Sequence, residues 1–260
     1  MAKGAFETGF LDRRIGWFLF GEKSRGPGVR SKPECVRFDV EPGVTPSPKP
    51  PVRIFLGTEP EQHRAERVFL WSILKVRDPA RVYETYLMSE LSGFDRSDWK
   101  TGFSRYRFAI PAFAGQTGRA IYNDVDQIYL TDPGELFDLE MGDRAYLSIT
   151  RRETSVMLLD CEKLGSLWTY EDALVHKKKH FRAAAEDLWG ELDGAWNARD
   201  WEYEPGKSKL LHYSTLHTQP WRPFPKALRY RDNNNAEIWF ALERSAEAAG
   251  FEASPEPVKD

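Results

Sequence analysis

Residues 119–139 read RAIYNDVDQIYLTDPGELFDL, and this stretch decides the fold class of the chain. Its opening run, RAIYN, predicts a short buried strand. Asp132, Pro133 and Glu135 then show the pattern of a helix start, with a cap, a proline in the first turn and a capping-box acid. A strand that leads through a short turn into a helix is typical of α/β proteins.

The segments before this stretch extend the same pattern towards the N-terminus. VRIFLGT at 52–58 is a short apolar run bounded by turn residues and predicts a buried strand. In 59–76 apolar residues recur at helical spacing, and Pro60 suits the first helical turn. VYETYLM at 82–88 predicts a second strand. Strand, helix and strand in this order form the unit of a parallel sheet.

The segments after it continue the alternation of strands and helices. We expect strands at 146–150, 155–161 and 210–215, a helical stretch at 166–191, and a final helix at 239–249. The pattern as a whole predicts an α/β fold with an open, mostly parallel sheet that is flanked by helices.

A proline-rich segment marks the predicted start of the folded domain. EPGVTPSPKPP at 41–51 has five prolines in eleven residues, and proline favours extended chain and lacks a backbone donor. We therefore expect residues 1–51 to form an N-terminal extension that ends in a linker. Residues 52–250 are expected to form the domain and residues 251–260 a disordered tail.

The composition argues against several classes of function. Apolar residues make up 41% of the chain, enough for a core, and the net charge of −3 gives no reason to expect nucleic acid as a partner. Two cysteines and a start unlike a leader predict a cytoplasmic protein, with peripheral membrane contact left open. GWFLF at 16–20 is too short to span a bilayer, so no transmembrane segment is expected. The basic run at 177–180 predicts a solvated helix face, with an anion or membrane patch as the alternative.

The acids Asp124 and Asp126 follow the predicted strand directly. Side chains at i and i+2 point to the same side of extended backbone, and ligands of open α/β sheets collect at the carboxyl ends of strands. Two carboxylates this close repel each other unless they share a proton or a cation. A hard divalent ion with oxygen ligands resolves the conflict. The alternative is a pair of turn aspartates that face water.

Several short motifs around this pair resemble one enzyme family when they are taken in order. They are Tyr106-Arg107-Phe108 with Pro111, Asp124-Val125-Asp126, Glu135-Leu136-Phe137, SVMLLD at 155–160, Trp196-Asn197, and HYSTLHTQPW at 212–221. Their order and spacing resemble the retaining nucleotide-sugar glycosyltransferases, the family that includes glycogenin and the bacterial lipopolysaccharide galactosyltransferases. The resemblance covers residues 52–221.

The resemblance implies a GT-A-type fold that binds a nucleoside diphosphate sugar, with uridine diphosphate as the expected carrier, through Mn²⁺ or Mg²⁺. By the same analogy Asp124, Asp126 and His212 are the metal ligands. An imidazole ligand favours Mn²⁺ over the harder Mg²⁺. The alternative for His212 is a structural histidine that only forms hydrogen bonds.

The resemblance also implies roles for further residues. The expected donor-binding residues are Gly57, Thr58, Arg107, Glu153, Thr154, Gln219 and Trp221, the expected acceptor-binding residues are Trp196 and Asn197, and the expected catalytic pair is Glu186 and Asp187. Each has a structural alternative. The alternative role of Arg107 is a surface salt bridge, and that of Gly57 is a tight turn. The alternative for the catalytic pair is an exposed helix face. Trp196, Trp201, Tyr203 and Trp221 are candidates for stacking on sugars.

Two departures from the family pattern concern the sugar and the diphosphate. The family's Asn-Ser-Gly is replaced by Glu153-Thr154-Ser155, which puts the identity of the sugar in question. Gln219 stands where the family has a lysine that meets the diphosphate as a point charge. His217 and Arg222 are the candidates to replace that charge.

These observations leave more than one function open. The first is a metal-dependent retaining glycosyltransferase that acts on a lipid-linked sugar, a protein or a small glycan. The second is a non-catalytic relative that binds a nucleotide sugar or a glycan. The third is a metal-dependent nucleotidyltransferase, which the segment 57–64 disfavours because it is not a glycine- and lysine-rich phosphate loop.

Overall fold

A large sheet organises the chain. The structure is a computed structural model that describes residues 28–94 and 103–257. The apolar segment at 16–20 lies outside these residues. The strands in chain order are β1 (Glu34–Phe38), β2 (Val52–Gly57), β3 (Tyr83–Met88), β4 (Arg119–Asp124), β5 (Gln127–Tyr129), β6 (Tyr146–Ser148), β7 (Val156–Asp160), β8 (Trp189–Glu191), β9 (Ala198–Arg199), β10 (Leu210–His212) and β11 (Glu256–Pro257). Within the described residues, the large sheet has eight strands in the order β11-β1-β3-β2-β4-β7-β6-β8.

The centre of this sheet is parallel, and antiparallel pairs flank it. β2 runs parallel to both of its neighbours, β3 and β4. β1 runs antiparallel to β3, and β7 runs antiparallel to β4. β6 and β7 are antiparallel because only residues 149–155 join them, too few for the crossover that a parallel pair needs. The predicted α/β class is confirmed, and the sheet is mixed rather than mostly parallel.

The helices pack on this sheet. They are α1 (His63–Val76), α2 (Ile110–Phe113), α3 (Pro133–Phe137), α4 (Cys161–Leu164), α5 (Tyr170–Val175), α6 (Lys178–Ala184) and α7 (Ala236–Ala248), with 3₁₀ turns at Pro60–Gln62, Tyr106–Ala109, Glu186–Leu188, Gly194–Asn197 and Leu216–Thr218. α1 joins β2 to β3 and buries Val68, Phe69 and Ile73 in the core, which confirms the predicted strand–helix–strand unit. No helix in the described ranges has the length and apolar character that crossing a bilayer requires.

The cap of α3 is as the sequence predicts, but the capping box is not closed. The Asp132 carboxylate accepts a hydrogen bond of 2.7 Å from the Gly134 amide, which satisfies one free donor of the first turn. Glu135 turns away and accepts from Thr131 Oγ1 and Lys209 Nζ instead.

A second, three-stranded sheet consists of β5, β10 and β9 in the described residues. β10 is antiparallel to β5, where His212 faces Gln127, and parallel to β9. The sheet lies against α1, since the Tyr129 amide donates to Ser72 Oγ at 3.0 Å. This sheet matters for the site because β5 begins directly after Asp126.

The predicted helical stretch at 166–191 is wrong as a continuous element. It divides into α5, α6, a 3₁₀ turn and β8. His176 and Lys177 have extended backbone, which separates α5 from α6. Trp189 pairs with Tyr146 at the edge of the large sheet. Tertiary contacts here override helix propensity, which is only a weak preference.

The sheet also extends beyond both predicted domain boundaries. β1 belongs to the segment expected as an extension, yet it pairs with β3 over its whole length. β11 belongs to the expected disordered tail, yet it pairs with the start of β1. Phe251 packs its ring 5.1 Å from that of Trp71. The prediction fails for these residues because Val36 and Phe251 add apolar surface to the core, which offsets the cost of ordering both ends.

Candidate metal and donor site

Asp124, Asp126 and His212 converge on one point. One ligand atom from each lies within 4.8 Å of the others, and Asp126 Oδ1 is 3.2 Å from His212 Nε2. Asp124 ends β4, whereas Asp126 lies in the turn that leads into β5. The structure therefore brings together the three residues that the sequence proposes as metal ligands, although 86 positions separate Asp126 from His212.

The register of the small sheet explains this convergence. His212 pairs with Gln127 across β10 and β5, and the next amide, that of Tyr213, donates to the Asp126 carbonyl at 2.8 Å. Val125 between the two acids is buried. On either side of it, Asp124 meets Arg107 and Asp126 meets His212.

His212 is held in the tautomer that suits a metal ligand. Its Nδ1 lies 2.9 Å from Asn197 Oδ1. This oxygen also accepts from Gln127 Nε2 and Ser155 Oγ, so it is an acceptor and Nδ1 carries the proton. Nε2, the nitrogen that would bind a metal, then faces Asp126. An imidazole fixed by a hydrogen bond at its other nitrogen is the usual arrangement of a histidine ligand.

The charges of the site favour a bound cation. Burial raises the pKa of Asp124, and Asp126 adds to the rise although Arg107 opposes it. Burial disfavours the charged imidazole of His212, but Asp126, Asp124 and Glu153 outweigh burial and raise its pKa. Both shifts mean that the site retains protons at a higher pH than usual, because negative charge is concentrated there. A metal ion would take the place of those protons.

The residues present fit a divalent ion. Asp126 Oδ1 is buried, and the polar atom that faces it is His212 Nε2. Its separation of 3.2 Å from His212 Nε2 is close to the ~3 Å between neighbouring ligands of an octahedral ion with bonds of about 2.1 Å. Two carboxylates and one imidazole suit Mn²⁺, with Mg²⁺ as the harder alternative.

Arg107 supports Asp124 through a partly buried hydrogen bond. Its Nη2 donates to Asp124 Oδ1 at 2.9 Å, its Nη1 donates to the Thr154 carbonyl, and its Nε donates to Ser104 O. The guanidinium also lies 4.3 Å from the ring centroid of Tyr122. The alternative of a surface salt bridge is wrong, since Arg107 is buried. These contacts make Arg107 a positioning residue for Asp124, whereas its predicted contact with the donor is still a prediction.

Gly57 is required by the packing of Tyr122. A Cβ at Gly57 would lie 2.5 Å from the Tyr122 hydroxyl and 2.6 Å from the Phe103 ring. The Tyr122 hydroxyl donates to Asp124 Oδ1, so Gly57 keeps open the space from which the acid is supported. Thr58 next to it is buried and donates to Glu66. Neither residue contradicts the predicted nucleotide contact, and neither demonstrates it.

Glu153, Thr154 and Gln219, the departures from the family pattern, form part of the site. Glu153 Oε1 accepts from the amide and hydroxyl of Ser155 at 3.1 and 2.7 Å. Burial opposes its charge, but these bonds and the nearby His212 lower its pKa. Gln219 Nε2 donates to Asp126 Oδ2 at 3.1 Å. Thus Glu153 adds a third carboxylate near the two aspartates, and Gln219 holds Asp126, a predicted metal ligand, instead of supplying a charge.

Burial contradicts two predicted sugar contacts. Trp196 and Trp221 are 2% and 3% exposed and belong to the hydrophobic core. Trp221 Nε1 donates to Gln62 Oε1 at 2.7 Å, so its polar atom also points inwards. Both indoles stabilise the core through the large apolar area that they bury. Trp201, in contrast, is 65% exposed.

The geometry bears on three further predictions. Asn197 is buried and hydrogen-bonds to His212, which gives it a positioning role, whereas its predicted contact with an acceptor is still a prediction. Glu186 and Asp187 are exposed, and Glu186 pairs with Arg151 at 3.3 Å. The contact agrees with the exposed alternative for this pair. The sequence predicts that both acids lie on one continuous helix that directs them into the site. Instead α6 ends at Ala184, and both acids lie in the 3₁₀ turn that follows.

Lys178 and Asp200 are near the site and were not found from the sequence. Burial and the positive charge of Arg107 lower the pKa of Lys178 to about 8, against the attraction of Glu153 and Asp124. Burial raises the pKa of Asp200, which interacts with His212 and Asp126. Both carboxylate oxygens of Asp200 are buried, and hydrogen bonds from the Asn233 side chain and the Thr215 backbone oppose the rise of its pKa. Lys178 lies in the basic run at 177–180, and the pattern gives no sign that this member alone turns inwards.

A cavity of about 660 Å³ adjoins the metal ligands. Its walls include Glu153 and Asn197, which contact or face His212, and it continues along Arg199, Glu202 and Lys207. The lining combines apolar surface with charged side chains of both signs. A cavity of this size and character can hold a small polyhydroxylated ligand.

Solved structures with this fold are glycosyltransferases. The apo-form glycosyltransferase GlyE of Streptococcus pneumoniae TIGR4 matches with a TM-score of 0.53 and 15% identity over 82% of this chain and 66% of GlyE. The galactosyltransferase LgtC, in complex with donor and acceptor sugar analogs, matches with 0.53 and 12% identity over 75% of this chain and 96% of LgtC. The bifunctional glycosyltransferase WbbM matches with 0.52 and 10% identity over 76% of this chain and 53% of WbbM.

The similarity of this chain to known proteins lies in its structure and not in its overall sequence. No protein-family model matches the chain, and no curated protein matches it. The chain spans less than two thirds of the length of GlyE and about half of WbbM. The similarity at this low identity shows the fold, so the GT-A-type fold that the motifs imply is confirmed.

Proposed function

We propose that this chain is a metal-dependent glycosyltransferase that takes its sugar from a uridine diphosphate sugar and retains the anomeric configuration. The observation that supports this most is the convergence of Asp124, Asp126 and the Asn197-held imidazole of His212 at the carboxyl end of β4. In open α/β sheets this edge is where ligands bind. Solved structures with the same fold are glycosyltransferases.

The three ligands would hold Mn²⁺, or Mg²⁺ in its place. The ion, when bound, supplies a Lewis acid to the diphosphate oxygens, on which negative charge builds up as the sugar leaves. The chain's own part is to hold the ligands still. Arg107 and Tyr122 hold Asp124, Gln219 holds Asp126, and Asn197 holds His212. Ligands fixed before the donor binds need no reorganisation during the reaction.

The transfer itself exchanges one bond for another. The bond from the anomeric carbon to the diphosphate breaks, a bond to an acceptor oxygen forms, and the acceptor proton passes to the departing diphosphate. We assign no covalent nucleophile, because Glu186 and Asp187 are exposed and Glu186 pairs with Arg151 at the surface. Retention then follows from attack on the face that the diphosphate leaves.

Lys178 is our candidate for the missing diphosphate charge. Gln219 cannot supply that charge, and its amide is already bonded to Asp126. The Lys178 ammonium is partly buried, donates to the Arg152 carbonyl, and interacts with Arg107, Asp124 and Glu153. A lysine held by a carbonyl near an acid-rich site can turn to an incoming diphosphate as a point charge.

The cavity next to the metal ligands is our candidate for the sugars. Glu153 on its wall stays ionised and can only accept hydrogen bonds, whereas the family's asparagine both donates and accepts. We therefore expect a donor sugar whose hydroxyls donate to this carboxylate. The acceptor, a glycan, a lipid-linked sugar or a protein, would enter along Arg199 and Glu202.

A thermal-shift screen of nucleotide sugars with Mn²⁺ tests the proposal. A uridine diphosphate sugar at about 100 times its dissociation constant adds about 2.7 kcal/mol of stability, which raises Tm by roughly 5–10 °C. Asp126→Asn should abolish the rise, since a metal ligand contributes several kcal/mol. No shift with any nucleotide sugar, with or without metal, would sink the proposal.

The second candidate is a non-catalytic nucleotide-sugar binder, which the exchange of the family's lysine for Gln219 favours. Release of free UDP from the donor, even slowly and without an acceptor, distinguishes the enzyme from the binder. Stabilisation by the donor without any UDP release, under every acceptor tried, would favour the binder. Both outcomes keep the nucleotide-sugar site and decide only what it does.

A further inference from the structure

Asp172, His176 and His180 form a second group of metal-ligating side chains that the proposed reaction does not use. Asp172 lies in the first turn of α5, His176 directly follows α5, and His180 lies in α6. One ligand atom from each lies within 4.8 Å of the others. The cluster thus joins two helices that are separated by the extended residues His176 and Lys177.

The distances in this cluster fit a metal better than they fit hydrogen bonds. His176 Nε2 lies 3.5 Å from Asp172 Oδ1, and His180 Nε2 lies 3.7 Å from Oδ2. Both separations are longer than the 2.7–3.2 Å of ordinary N–H···O hydrogen bonds. Two ligands of a tetrahedral zinc ion with bonds of about 2.0–2.1 Å lie about 3.3 Å apart. A small closure of the cluster, together with a turn of one imidazole ring, would therefore seat such an ion.

The imidazole rings of His176 and His180 lie next to each other. The rings of His176 and His180 stack with 4.1 Å between centroids and 15° between planes. Both Nε2 atoms face the carboxylate of Asp172. An imidazole binds a metal through the lone pair in its ring plane, so one of the two nearly parallel rings must turn before both can share an ion. The neighbouring Lys177 and Lys179 disfavour an ion held by charge alone. A transition metal that prefers imidazole nitrogen fits this environment better than Mg²⁺ or Ca²⁺.

We propose that Asp172, His176 and His180 bind Zn²⁺, with water as the remaining ligand, and that the ion ties α5 to α6. Two nitrogens and one carboxylate oxygen are a common zinc ligand set. The ion would fix the corner at His176 and Lys177, from which α6 begins with Lys178. Its role is structural and does not depend on the proposed transfer reaction.

Zinc binding to the full chain, measured by titration calorimetry, tests the proposal. The Asp124→Asn/Asp126→Asn variant silences the first site, and His176→Asn/His180→Asn removes the second. His63→Asn is the matched control, because His63 is also an exposed histidine on a helix. Co²⁺ as a probe gives an independent readout, since a tetrahedral cobalt site absorbs visible light strongly.

We expect a site with a dissociation constant of about 1 µM or below that survives in the first variant and in the control. His176→Asn/His180→Asn should weaken it by about 100-fold or more and remove the visible cobalt band. Equal binding by His176→Asn/His180→Asn and the wild type would overturn the proposal. Binding only in the millimolar range would do the same, because isolated surface histidines bind zinc at that level.

Discussion

The Asp124–Asp126–His212 site and the Asp172–His176–His180 cluster offer similar atoms in opposite surroundings. The side chain of His212 is 8% exposed, whereas those of His176 and His180 are 46% and 41% exposed. His212 has Asn197 behind it, and Asp126 has Gln219. Asp172 meets its two histidines at distances too long for hydrogen bonds.

This difference separates a preorganised site from a local one. The first site depends on strands that are distant in sequence, and its ligands are held before any ion arrives. The second is built from residues that are close in sequence, on two short helices and the corner between them, and the ion itself must supply the order. The carboxylate-rich first site suits a hard ion and chemistry at a diphosphate, whereas the imidazole-rich second site suits zinc and a structural role.

Removal of Asn197, which holds His212, should give the largest difference between the metal affinities of the two sites. Asn197→Ala leaves Nδ1 without its acceptor, so the imidazole can rotate and change tautomer. Outer-shell partners of this kind contribute about 10- to 100-fold to metal affinity. We expect a loss of that size in Mn²⁺ affinity at the first site and no change in Zn²⁺ affinity at the second.

Asn234→Ala is the matched control, because Asn234 is exposed and should leave both affinities unchanged. Equal Mn²⁺ affinity in Asn197→Ala and the wild type would show that His212 needs no support. The two sites would then not differ in preorganisation, whatever their difference in burial.

The sequence reveals the local part of this comparison and misses the long-range part. The strand that ends at Asp124, the cap at Asp132 and the helix α1 follow from local residues, and all three are found. His212 was found only through the family resemblance. Its approach to Asp126 depends on the pairing of β10 with β5, which no local pattern encodes.

The failures have the same physical origin. Trp196 and Trp221 look like sugar platforms in the sequence, and only the packed core shows that both are buried. The sequence pattern does not distinguish the lysines at 177–180 from one another. In the structure α6 begins at Lys178 after the break between α5 and α6, and this lysine interacts with Asp124 and Glu153. Periodicity predicts a long helix at 166–191, yet the edge strand β8 takes its last residues into the sheet.

Loss of the Lys178 charge should have a smaller effect than loss of the support behind His212. Lys178→Met removes one ammonium that is partly exposed to water, so we expect uridine diphosphate to bind about three- to tenfold more weakly. In the wild type the pKa of this lysine is lowered to about 8, so the charge is present below that pH and is lost as the pH rises through it. Binding should weaken above pH 8 in the wild type and stay flat there in Lys178→Met.

Lys179→Met is the control, since Lys179 is the exposed neighbour in the same helix. It should bind uridine diphosphate as the wild type does and keep the wild-type pH profile. If both variants lose the same affinity, the run acts as a diffuse positive surface, and the assignment of Lys178 to the diphosphate is wrong.

The smallest expected effect concerns the metal-free protein. His176→Asn/His180→Asn removes two exposed rings from pairs with Asp172, and exposed pairs of this kind contribute little. We expect the free energy of unfolding in urea with a chelator present to change by no more than about 0.5 kcal/mol. His212→Leu in the same assay should cost about 1–3 kcal/mol, because Asn197 and Asp126 then lose their buried partner. A large loss in His176→Asn/His180→Asn without metal would mean that the cluster stabilises the α5–α6 corner by itself, so that order at this corner would not come from the ion.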